Sequence, residues 1–213
     1  MFKLIAMIAI IDYRAGNLAS VARALTYLGF TCEITDDRKK IMTADHIIFP
    51  GVGAAGRAMM ELKVLGLDDV LKEAFAASRP ILGICLGTQI IFEYSEEDGA
   101  SCLGLISGRV RRFPDPLFDG NARLKIPHMG WNRVEWIGMH PVFTGCHEDS
   151  EYYFVHSYYP DPAEQRLIMG LTEYGVKFSS ALAKGSLVAV QFHPEKSGRP
   201  GLKILENFCK WRP

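Results

Sequence analysis

What the chain lacks narrows its function before any motif is read. Neither charge sign is in excess, with 24 Lys and Arg against 24 Asp and Glu, which argues against nucleic acid or an anionic membrane as the main partner. No disordered or low-complexity stretch, internal repeat or dividing linker is found. The five cysteines, Cys32, Cys85, Cys102, Cys146 and Cys209, are odd in number and scattered, without a C-x-x-C pair or zinc spacing. That usage points to a reducing, cytoplasmic setting and to no metal or cofactor. The apolar run that follows Met1-Phe2-Lys3 ends in Asp12-Tyr13-Arg14 with no small-residue cleavage site. It is too short to span a bilayer, so a buried first strand is the expectation. Met7 opens an equally good strand, which leaves residues 1–6 as a possible N-terminal extension.

What is present is a core-forming chain. Of its 213 residues 48% are apolar, enough for one domain over residues 1–213. Ile5 to Ile11 is a continuous apolar run, as in a parallel strand covered on both faces. Asn17 is placed to cap a helix over Leu18 to Leu28, which Gly29 stops. Strands follow at Thr31 to Thr35 and at Asp45 to Phe49, the latter ending in Pro50-Gly51-Val52-Gly53. A helical region from about Ala54 to Ala77, broken at Gly66, precedes the next strand. This alternation predicts a doubly wound, mostly parallel α/β sheet with helices on both faces. From Leu103 to Phe192 short strands with turns between them predict a smaller mixed or antiparallel sheet. An amphipathic helix over Pro200 to Trp211 closes the chain.

Pro80 to Gln89, which contains Gly83-Ile84-Cys85-Leu86-Gly87, has the nucleophile-elbow pattern with cysteine in place of serine. A strand ending there and turning into a helix from Thr88 to about Tyr94 exposes the Cys85 side chain beside a helix N-terminus, which favours a thiolate. Taken alone, a buried structural cysteine is equally good. The balance shifts with Gln191-Phe192-His193-Pro194-Glu195. Residues two apart in extended chain project to one side, and Pro194 biases His193 to that conformation. Glu195 can therefore hold one ring nitrogen of His193 and leave the other for the thiol. Backbone donors for an oxyanion are expected from Leu86 and from the Gly51-Val52-Gly53 loop. A phosphate cradle is the rival for that loop, but it lacks the G-x-G-x-x-G spacing and the lysine.

These three blocks resemble the triad-type, class I glutamine amidotransferases. Ile11-Asp12-Tyr13 with Gly16-Asn17-Leu18, Pro127-His128-Met129-Gly130-Trp131-Asn132, His156-Ser157-Tyr158 and Glu195-Lys196-Ser197 are similar to one branch, the glutaminase subunits that serve imidazole glycerol phosphate synthase. The resemblance implies a Cys85, His193, Glu195 triad that hydrolyses L-glutamine. It also places Gln89, Glu97 and the main chain of Ser157 and Tyr158 around the substrate. It further implies a heterodimer with a (β/α)₈ synthase subunit in histidine biosynthesis. His128, Met129, Trp131, Asn132 and Lys196 are expected at that interface, and the freed ammonia passes on to the partner. Two residues depart from the usual pattern: Arg14 stands where the family has Gly, and Thr88 where it has Met. The rivals are a glutaminase of another pathway such as anthranilate synthase, a stand-alone cysteine hydrolase, and a non-catalytic binding protein.

Overall fold

A computed structural model describes residues 7–213; the suggested extension over residues 1–6 lies outside them. In chain order the strands are β1 (Met7–Ile11), β2 (Thr31–Thr35), β3 (His46–Gly51), β4 (Ile81–Cys85), β5 (Tyr94–Ser95), β6 (Ala100–Ser101), β7 (Gly108–Arg112), β8 (Leu117–Asp119) and β9 (Ala122–Leu124). They continue with β10 (His128–Arg133), β11 (Glu135–Trp136), β12 (Glu151–His156), β13 (Tyr158–Pro162), β14 (Ile168–Tyr174), β15 (Val176–Lys184) and β16 (Leu187–Val190). The helices are α1 (Leu18–Tyr27), α2 (Arg38–Thr43), α3 (Ala55–Leu65), α4 (Leu67–Ala76), α5 (Leu86–Gln89) and α6 (Gly198–Lys210).

The central sheet has the order β11-β14-β15-β16-β4-β3-β1-β2. Strands β2, β1, β3, β4 and β16 run parallel, and β15, β14 and β11 extend the sheet antiparallel. Part of the second half thus joins the central sheet, while β13-β7-β5-β6 form a separate four-stranded mixed sheet and β10 pairs with β12. Alternate residues of the parallel strands feed two cores. Ala9, Ile11, Ile47 and Phe49 pack with Leu62 of α3 and Leu71 of α4 on one face. Ile8, Ile10, Ile48 and Val188 pack with Leu25 of α1 and with Leu205 and Phe208 of α6 on the other. Burial on both faces explains why these strands are apolar throughout rather than alternating.

Several local expectations are corrected. Asn17 occupies the N-cap position of α1, but its side chain makes no capping hydrogen bond. The short helix α2, capped by the Asp37 carboxylate accepting from the Lys40 N–H at 2.9 Å, has no counterpart in the sequence reading. Helix α5 begins at Leu86, directly after the cysteine, and ends at Gln89 rather than running to Tyr94. Its continuation is claimed elsewhere: the carbonyls of Ile90, Ile91 and Phe92 accept from Leu103, Gly104, Leu105 and Ile106. Among the described residues no helix is long and apolar enough to cross a membrane.

Candidate active site

Strand order decides what meets at the rim of the sheet. β4 lies between β3 and β16 and is parallel to both, so their carboxyl ends fall together. β3 delivers Gly51 opposite Cys85, and β16 runs through Gln191 and Phe192 into His193. Ligand sites of doubly wound sheets form at that end.

Cys85 sits at the tip of β4 with φ 53° and ψ −108°, a positive φ rare outside glycine,. The turn is possible because nothing stands where α5 crosses β3. A Cβ on Gly87 would lie 1.9 Å from the Phe49 carbonyl oxygen, and one on Gly51 would lie 2.0 Å from the Tyr13 hydroxyl. Thr88 ties α5 to the neighbouring strand, its hydroxyl donating to the Val190 carbonyl at 2.6 Å. The departure at that position therefore supplies a bond rather than a packing fault. Arg14 adopts φ 62°, donates its N–H to the Asp12 carboxylate at 2.9 Å and sends its guanidinium to Glu61 at 3.5 Å. It touches neither Cys85 nor His193.

His193 and Glu195 do meet, although not by continuous extended chain. His193 is extended (φ −99°, ψ 95°), and Pro194–Lys196 then closes a 3₁₀ turn that swings Glu195 back. His193 Nδ1 is 2.8 Å from Glu195 Oε1, with both side chains 2% exposed. Two contacts pin the His193 backbone. Its N–H donates to the Tyr153 carbonyl at 2.9 Å, and its carbonyl accepts from the buried Ser197 hydroxyl at 2.6 Å. Nε2 of His193 and Oε2 of Glu195 are buried without a hydrogen-bond partner. Burial works against charge on the ring, but the facing Cys85 sulfur and the Glu195 carboxylate outweigh it and raise the His193 pKa to about 10,.

That shift links folding to pH. An unfolded histidine releases its proton near pH 6.5, whereas the folded ring holds it to about 10. The stabilisation is fully present below pH 6.5 and fades as pH rises toward 10. Comparing thermal unfolding of the parent with His193→Gln should show the parent's advantage shrinking between pH 7 and 10; a constant gap would contradict the linkage.

A cavity of about 390 Å³ opens in front of these groups, lined by Val52, Gly53, Cys85, Leu86, Gln89, Glu97, Pro127, Val155, His156, Ser157, Tyr158 and His193. Gly51 is not among them; it is buried behind the wall against Tyr13. Glu97 is half-buried, one oxygen accepting from the Ala55 N–H at the start of α3 at 2.8 Å. Burial, aided by Asp98, raises its pKa against that hydrogen bond. Gln89 is committed within the protein, its amide donating to the Tyr158 carbonyl at 2.8 Å and to Gln191 Oε1 at 3.0 Å.

Gln191 is the residue the sequence reading passed over. Its amide lies 3.7 Å from the Cys85 sulfur, and the Val155 carbonyl lies 3.9 Å from that sulfur. Gln191 is 0% exposed; one amide directly after an apolar strand was the available signal, since buried polar groups need partners. Of the residues expected at an interface, Met129 and Trp131 are exposed, Lys196 is exposed with Nζ 5.7 Å over the Tyr153 ring, and Asn132 is half-buried. His128 is 3% exposed, so it has almost no surface to offer a partner by direct contact.

The family model described as glutamine amidotransferase class-I matches residues 9–211. The chain is 50% identical over 206 residues to the imidazole glycerol phosphate synthase subunit HisH of Nitratidesulfovibrio vulgaris strain DP4, covering 96% of each. It is 47% identical over 211 residues to the subunit of the same name from Aromatoleum aromaticum, covering 97% of this chain and 99% of the relative. Among solved structures, PurLQS from Thermotoga maritima superposes with a TM-score of 0.74 at 16% identity, over 97% of this chain and 99% of that one. A putative GMP synthase component from Thermoplasma acidophilum gives 0.70 at 19%, over 97% and 93%. At those identities the solved structures speak for the fold alone.

Proposed function

The chain belongs to the class-I glutamine amidotransferases, and from that premise we propose that it is the glutaminase subunit of an imidazole glycerol phosphate synthase. It hydrolyses L-glutamine to glutamate and ammonia in the cytoplasm and delivers the ammonia to a (β/α)₈ synthase partner in histidine biosynthesis. The single observation that carries this reading is the near full-length identity to subunits of that name. It is supported by a cysteine, a histidine and a carboxylate that share one rim of the sheet.

In the mechanism we infer, the Cys85 sulfur forms a bond to the carboxamide carbon of glutamine. Charge developing on the carbonyl oxygen is taken by backbone N–H groups at Leu86 and in the Val52–Gly53 loop. His193 passes a proton to the leaving nitrogen, the C–N bond breaks, and ammonia departs from a glutamyl thioester. Water then attacks the thioester carbon, His193 takes its proton, and the C–S bond breaks to release glutamate. Glu195 holds the Nδ1–H side of the ring throughout, leaving Nε2 for the reacting groups. Glu97 retains a carboxylate oxygen for the substrate ammonium, and the main chain at Ser157 and Tyr158 borders the substrate carboxylate.

Ammonia freed into neutral water becomes ammonium and loses its nucleophilic lone pair, so it must pass directly to an acceptor site. The exposed pair Met129 and Trp131, 62% and 54% accessible, offers an apolar anchor on the strand that begins beside the cavity at Pro127. Trp131→Ala is expected to weaken association with the synthase by about 30-fold, as for an aromatic interface anchor; unchanged affinity by titration calorimetry would remove Trp131 from the contact. The reading as a whole is tested by ammonia release from glutamine with and without the cognate synthase and its nucleotide substrate. Turnover that rises sharply with the partner supports it, and turnover indifferent to the partner contradicts it.

A further inference from the structure

Two buried histidines take no part in the chemistry above. His128 begins β10 and His156 ends β12, directly opposite in the antiparallel pair. Nδ1 of His128 lies 3.0 Å from Nε2 of His156, and Nδ1 of His156 lies 2.8 Å from the Tyr158 carbonyl. On the far side, Nε2 of His128 lies 3.3 Å from the Asn132 amide nitrogen. The string therefore runs Asn132, His128, His156, Tyr158.

Backbone groups at both ends fix where every proton sits. Asn132 Nδ2 is 2.9 Å from the Glu173 carbonyl, which can only accept, and Oδ1 is 2.8 Å from the Arg133 N–H, which can only donate. The amide is thereby oriented without reference to the histidines, and it presents an N–H to His128 Nε2, which must be bare. The Tyr158 carbonyl can likewise only accept, so His156 carries its proton on Nδ1 and offers a lone pair at Nε2. Between the rings the remaining proton then lies on His128 Nδ1. Both ends assign the same neutral Nδ1–H tautomer to both rings. A second proton on either ring would set N–H against N–H. Burial keeps both uncharged, pushing His128 down to about 4 and His156, with His128 adding to the effect, down to about 3. The His128 ring cannot turn freely, since it stacks on Phe154 at 4.9 Å and on Tyr174 at 4.0 Å between centroids.

The two ends open on different spaces. His156 and Tyr158 line the cavity that holds Cys85. His128 and Asn132 line a second cavity of about 460 Å³, shared with Met129, Trp131 and Glu173. We propose that Asn132, His128 and His156 are positioning residues for glutamine, a directional hydrogen-bond relay that holds the Tyr158 main chain at the catalytic cavity and reaches out to the Trp131 face. This rests on the glutaminase reading for its substrate, and the tautomers are read independently of turnover, so the two can fail separately.

The test uses the full chain. Labelled with ¹⁵N-histidine at pH 7, it should show His128 and His156 both as neutral Nδ1–H tautomers; an Nε2–H tautomer on either ring overturns the relay. Glutamine kinetics at saturating synthase supply the second reading. His128→Leu removes both links, whereas His128→Asn keeps a donor near the Nδ1 position and restores the link to His156. The expected result is a KM about tenfold higher in His128→Leu and an intermediate KM in His128→Asn, with kcat changed by less than about threefold. If His128→Leu does not fold, His128→Asn and Asn132→Ala carry the test, each with a raised KM. A KM equal to the parent's in folded variants overturns the proposal.

Discussion

Cys85→Ala is expected to lower glutamine hydrolysis by about 10⁴-fold or more while the fold stays intact. In the proposed mechanism the sulfur makes the covalent bond, and what survives its removal is only binding and oxyanion stabilisation. The side chain is small, so alanine leaves little void. The backbone makes a second, opposite prediction. Cys85 is held at φ 53° and ψ −108°, a region that costs a residue with a Cβ about 1–3 kcal/mol. Cys85→Gly should therefore be as inactive as Cys85→Ala yet melt about 2–12 °C above it, at roughly 2–4 °C per kcal/mol for a chain of this size. A glycine variant no more stable than the alanine variant would mean that the elbow is not strained.

Gly87→Ala is expected to be the most damaging single-methyl addition near the site. The new Cβ would fall 1.9 Å from the Phe49 oxygen and 2.9 Å from its carbonyl carbon. Both are backbone atoms of β3, in the middle of the sheet, and cannot swing aside as a side chain would. Helix α5 must instead lift off β3, which opens the core beneath Leu86 and moves Cys85. A loss of about 3 kcal/mol or more follows from such overpacking, a fall in melting temperature of roughly 6–12 °C. Activity should drop with it, because the nucleophile and the oxyanion donors ride on the same turn. Gly56→Ala is the control, since the nearest atoms to a new Cβ there belong to the exposed Asp98 side chain, 3.0 Å away, which can swing aside. Equal melting of the Gly87→Ala variant and the parent would contradict the close approach.

The parallel half of the fold was legible because strands buried on both faces are written as unbroken apolar runs, and Gly66 breaks the helical stretch where its φ of 67° requires. Helix α2 was not legible. Only Ile41 of its six residues is buried, which leaves no periodicity to read. The second half yielded its strands but not their partners. Whether β14 and β15 extend the central sheet or form another depends on pairings between distant residues, such as Ala181 with Val190, and alternation within a strand does not encode them. The site divides the same way. Cys85, His193 and Glu195 could be read as candidates because their spacing carries chemistry on its face. Gln191 beside the sulfur and the His128–His156 contact could not, because they exist only once the register of β10 on β12 and of β16 on β4 is set. His128 shows what a motif read without burial leaves out: expected at an interface, its ring is almost wholly enclosed by the protein's own residues.

One sulfur, among five cysteines, is proposed to take the glutamyl group. Mixing the chain and its proposed synthase partner with glutamine, quenching in acid within the first turnovers and mapping the peptides by mass spectrometry would show which. The expected product is a glutamyl adduct, glutamine less ammonia, on the Cys85 peptide alone, and none in Cys85→Ala. Glutamyl label on Cys32, Cys102, Cys146 or Cys209, or parental turnover by Cys85→Ala, would contradict it.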